Sequence, residues 1–77
     1  MYNLVDDILE HSIVLADALK RNWSIEILIL KNNHHVRYKY VVPVHIDNEK
    51  NIVQLERFDE RIIDINIEDI VFCEVMT

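Results

Sequence analysis

The stretch IEILILKNNHHVRYKYVVPVHI, residues 25–46, decides the fold. Its apolar side chains recur with period two. Ile25, Ile27 and Ile29 share one face of a strand, and Glu26, Leu28 and Leu30 share the other. Lys31-Asn32-Asn33-His34 then supplies a hairpin turn without glycine, since asparagine tolerates a positive φ better than most residues. A longer alternating run follows. Val36, Tyr38, Tyr40, Val42, Val44 and Ile46 alternate with His35, Arg37, Lys39, Val41, Pro43 and His45, and the face carrying Val36, Tyr38, Tyr40 and Val42 reads as core. A strand this long can bend across two sheets. Pro43 has no N–H to give a ladder, which places that half of the strand at an edge or a bulge.

Upstream of the hairpin the period is helical. Leu4, Ile8, Leu15 and Leu19 form an apolar stripe widened by Val5, Leu9, Ile13 and Ala16. Asn3 reads as the N-cap, Asp6 and Asp7 complement the positive end, Lys20 and Arg21 the negative end, and Asn22 serves as a left-handed cap. These signals predict a helix over 3–21, with Trp23 pinning it to the sheet. Downstream, Asp47-Asn48-Glu49-Lys50 and Asp59-Glu60-Arg61 are polar turns, and Ile67-Glu68-Asp69-Ile70 is a tight one. The strands are predicted at 23–30, 35–46, 52–58, 62–67 and 71–75. Short turns imply sequential antiparallel pairing. The expected fold is mainly β (α+β): an N-terminal helix, then a five-stranded antiparallel small barrel of the SH3/Sm kind. It forms a single domain, 1–77.

The chain has 77 residues, of which 51% are apolar, and it carries one cysteine and no glycine. A lone Cys73 excludes an internal disulfide. Acids near the N-terminus argue against an export signal, and no apolar run is long enough to span a bilayer, so a cytoplasmic protein is expected. The glycine-free composition excludes Gly-rich phosphate loops. Net charge is −6, which opposes binding to a polyphosphate. The charge is uneven, however: residues 20–50 hold six bases against three acids. That basic hairpin makes Lys31, Arg37 and Lys39 the candidate nucleic-acid contacts, with Tyr38 and Tyr40 as stacking groups. Alternation places both tyrosines on the face opposite Arg37 and Lys39, so half-buried tyrosines behind an exposed basic face is the simpler expectation.

No residue set here assembles a nucleophile, a base and an oxyanion site, and the chain is expected not to be an enzyme. His34 and His35 are adjacent, so they face opposite sides of a strand and cannot chelate one ion; no metal or cofactor is expected. Cys73, flanked by Phe72 and Val75, reads as a buried apolar residue. The apolar surplus points instead to association. Val41, Val42, Pro43 and Val44 form an unbroken apolar strip, expected to contact another chain, most simply in a homodimer.

From Leu15 to Glu74 the pattern resembles the YolD-like family, small proteins of Firmicutes and their phages. The resemblance is carried by the helix end LADALKRN, the strand IEILIL, the segment HIDNEKNIVQL and the closing IIDINIEDIVFCEV. Asn32-Asn33 stands where family members commonly have glycine, and those members are often longer at the N-terminus. The resemblance implies a barrel related to SH3 and Sm-like folds and an accessory role beside Y-family translesion polymerases, in DNA-damage functions. It supplies no catalytic residues. Sm-like proteins share the helix-plus-five-strand order, but their characteristic glycines and asparagine-lined RNA site have no counterpart here. The expected function is therefore a non-enzymatic, protein-binding accessory or regulatory module of phage or mobile-element type. The alternative is an Sm-like module for single-stranded RNA or DNA.

Overall fold

The computed structural model describes residues 4–76, with side chains described for 10–76. Helix α1 spans Leu4–Arg21 and is followed by strands β1 (Ile25–Lys31), β2 (His34–Asp47), β3 (Ile52–Glu56) and β4 (Ile62–Asn66). A 3₁₀ turn η1 (Ile67–Asp69) then leads into β5 (Ile70–Val75). The elements match the expected ones with shifts of one or two residues at most ends. The proposed Asn3 cap, and the side chains of Leu4, Val5, Ile8 and Leu9 in the helical stripe, lie outside the described residues.

All pairings are antiparallel, and the strand order is β4-β3-β2-β1-β5. Neither β4 nor β5 has a second partner strand among the described residues, so the sheet has two edges. β2 is long enough to serve two partners: its first half pairs with β1 and its second with β3.

A chain without glycine must make its left-handed bends with other residues, and asparagine makes most of them. Asn22, Asn32, Asn33 and Asn51 all have φ between 52° and 64°. At Asn22 the helix ends in a Schellman closure, the Trp23 N–H donating to the Ala18 carbonyl at 3.0 Å. Asn32 and Asn33 turn the β1–β2 hairpin. In the next turn the Asp47 carboxylate accepts from the Glu49 and Lys50 N–H groups at 3.0 and 3.2 Å, which fixes the chain before Asn51.

The core is built from β1 outward. Ile25, Ile27 and Ile29 are buried in one cluster with Leu15 and Ala18 of α1, which packs along β5 and β2, and Val41, Val53, Leu55, Ile65, Ile67 and Ile70 complete it. Alternation predicts the β1 face correctly. It fails in β2, where Tyr40 has φ 57° and forms a bulge opposite Glu26. The bulge reverses the parity of the strand. Tyr40, expected in the core, is 62% exposed, while Val41 falls to 2% and Pro43 is fully buried. A second register shift at Val44 reverses it again and brings Ile46 back against the core.

Two smaller expectations also change. The third strand stops at Glu56, and Phe58 sits in the following turn, 83% exposed, because Asp59 and Glu60 close a tight bend there. Trp23 is not driven into the core. Its ring is partly exposed beneath the Arg21 guanidinium, 4.8 Å from the ring centre, a cation–π contact.

Two stability outcomes follow. Leu15 is wholly buried, so Leu15→Ala should cost about 2–5 kcal/mol in chemical denaturation. At Tyr40 the backbone conformation matters more than the exposed ring. Tyr40→Gly should leave stability unchanged or raise it, whereas Tyr40→Val, β-branched in a left-handed conformation, should lower it by about 1–3 kcal/mol. Equal melting temperatures for the two variants would contradict the bulge.

Candidate functional site

The outer surface of β5, β1 and β2 is set by register. Leu28 lies between Phe72 on β5 and Arg37 on β2, Glu26 lies beside Glu74, and Leu30 beside His35. Lys39 sits in the bulge opposite Glu26. These side chains alternate with Ile25, Ile27 and Ile29 and so point away from the core. The result is an apolar centre of Phe72, Leu28 and Leu30 with cations along the β2 side and a carboxylate on the β5 side. Phe72 and Leu30 are each 39% exposed, and Lys39, His35 and Glu74 are exposed. Beside this face, Phe72 also lines an open groove of about 490 Å³ that α1 forms with β5 through His11, Ile13, Val14, Val71 and Cys73.

The three basic residues singled out from the sequence do not come together. Arg37 and Lys39 share the outer face. Lys31 has the parity of Ile29 and lines a different hollow with Asp64, Asn66 and Asp69. Arg37 is already engaged, its Nη1 donating to Glu26 Oε2 at 2.7 Å. Tyr38 is half-buried against the core, with the Arg57 guanidinium 6.0 Å from its ring centre. Tyr40 is turned out by the bulge. Charge and rings are thus dispersed, where a base-stacking groove needs them in line.

The strip expected to contact another chain is divided in the same way. Val41 and Pro43 belong to this chain's own core, because the Tyr40 bulge turns them inward. Val42 is half-buried and Val44 is exposed, so only these two offer surface. Other exposed apolar residues are spread over the molecule, among them Phe58 and Ile62 around the β3–β4 turn, Phe72 and Val71 on β5, Leu30 on β1 and Ile13 on α1. The sequence carried a sign of this. In IEILIL the second face is apolar at Leu28 and Leu30 as well, more than one core can absorb.

On the β2–β3–β4 outer surface, Gln54 donates to Asp64 Oδ1 at 3.1 Å, and His45 lies beside Gln54 in register. Among the described residues no three His, Cys, Asp or Glu side chains gather closely enough to hold a metal ion. No helix among them is long and apolar enough to cross a membrane. Cys73 is half-buried on the core side of β5, and its burial pushes the thiol from 9.0 to about 12.

No family model matches the chain, and neither a curated protein nor a solved structure does.

The Cys73 shift has two consequences. At pH 8 the folded protein should react with a thiol reagent far more slowly than the chain in denaturant, because the thiolate is the reacting form. The folded value lies above the unfolded one, so the contribution to stability is complete below pH 9.0. It is lost as pH rises from there towards about 12, since the unfolded chain releases the proton first. Equal reaction rates in the two states would contradict the burial of Cys73.

Proposed function

We propose that this chain is a non-enzymatic module that binds another polypeptide through the outer face of β5–β1–β2. The observation that carries the reading is the apolar centre of exposed Phe72 and Leu30 with half-buried Leu28 between them, flanked by charges of both signs. Binding surfaces combine an apolar middle with a polar rim in this way. A solitary exposed leucine would mean little, but Leu28 and Phe72 in register on two adjacent strands, with Leu30 further along β1, form a patch.

The finer architecture we propose is a partly open small barrel of the SH3/Sm kind. Two features support it. β2 pairs with β1 at one end and β3 at the other, and residues of β1 (Ile29, Lys31) line one hollow with Ile52, Ile65 and Asn66 of β3 and β4. Both support a sheet that curls back on itself, with η1 linking its two edge strands. The YolD-like resemblance fits a binding role and makes a Y-family polymerase the first partner to try.

The test is affinity capture with the full chain, from lysate of cells that produce it and with purified polymerase, comparing wild type and Phe72→Asp. A partner retained by wild type and lost by the variant is expected. Equal retention by both would contradict the assignment of this face. Anisotropy with single-stranded RNA and DNA should show no micromolar binding; binding that weakens steeply with salt would reverse the reading in favour of nucleic acid.

A further inference from the structure

We infer that the β5–β1–β2 face is covered by a second copy of the same chain, in a two-fold dimer with β5 of one copy lying over β2 of the other. The inference rests on the proposed binding face and names its occupant.

The charge arrangement of the face is the ground for it. Glu26 and Glu74 stand directly opposite each other on paired strands, an arrangement that is destabilising for like charges. Arg37 neutralises Glu26 at 2.7 Å. Glu74 has no ion-pair partner among the described residues, and neither does Lys39, two strands away in the same row. The face therefore carries one unmatched anion on its β5 side and one unmatched cation on its β2 side, with apolar surface between them. Within one copy they cannot meet, because β1 separates them.

A two-fold axis brings them together, since an isologous interface presents the same patch on both copies. An axis running along β1 lays β5 over the partner copy's β2. Glu74 then faces Lys39 of the second copy, and the Phe72 ring lies at the height of its Arg37, where a guanidinium can stack on an aromatic face. Leu28 meets its own copy on the axis and closes the apolar centre from both sides; Glu26 also meets its own copy there, its charge already matched by Arg37 at 2.7 Å. An axis running across the strands would instead stack β2 on β2 and set Arg37 and Lys39 among their own kind. The pattern of charge thus selects the first arrangement. The net charge of −6 opposes approach from a distance. At physiological salt the Debye length is about 8 Å, so remote acids are screened while charges in contact are screened much less.

Sedimentation equilibrium of the full chain at micromolar concentration and physiological salt tests this. The expected mass is twice the 9.2 kDa of the chain. Glu74→Lys and Lys39→Glu should each weaken the dimer about tenfold or more, and the double charge swap should restore most of that loss. A wild-type monomer throughout would overturn the inference, as would a dimer that single swaps leave unchanged or the double swap fails to rescue. Wild-type amide shifts on dilution give a readout that needs no variant: changes confined to β5, β1 and β2 are expected, and changes elsewhere would overturn the inference. The proposed function is judged separately. A monomer that still captures a partner through Phe72 removes self-association alone, while a monomer that captures nothing removes both.

Discussion

One backbone dihedral, φ 57° at Tyr40, governs how the long second strand is used. Without the bulge, Val41 and Pro43 would face solvent and two tyrosines would crowd the core. With it, the strand reverses parity midway, supplies Tyr38 to the core before the bend and Val41 and Pro43 after it, and leaves one partner strand for the next. A tyrosine in the left-handed region is costly, and the compensation is the burial of two apolar residues that alternation alone would have exposed. The outward direction of Arg37 and Lys39 belongs to the same arrangement, because both precede the reversal.

The glycine-free composition gives that bend its context. Four other left-handed positions are occupied by asparagine and one by Glu60. Asparagine's short amide tolerates the conformation, so the turns at Asn22, Asn32, Asn33 and Asn51 carry little strain. Tyr40 is the large aromatic in this set. It sits where the sheet must bend between its two halves, and bulges commonly mark such places.

Much of the fold was legible in the sequence, for stated physical reasons. Period two in β1, a helical stripe ending at Asn22 and the Asn32-Asn33 turn gave element type and order, because each depends on local chemistry. The core face of β1 followed from alternation. The face of β2 did not, because a bulge depends on tertiary bending that no short-range pattern announces. The same bulge hid the fate of the Val41–Val44 strip. The candidate site was less legible still. Leu28 and Leu30 hint at a second apolar face in the sequence, but Phe72 and Glu74 join them, and Lys39, only when register sets them side by side. Lys31 shows the converse: it is near Arg37 and Lys39 in sequence, and the parity of β1 sends it to the other face.

A bend in one strand thus accompanies a charged, apolar-centred face on three, the face inferred to be covered by a second copy. An isotope-filtered NOE measurement on a mixture of labelled and unlabelled full chains tests this most directly. Intermolecular contacts are expected from the Phe72 ring to the side chain of Arg37, and from Leu28 to Leu28. Intermolecular contacts from β4, or from Val42 and Val44, with none from Phe72, would contradict it.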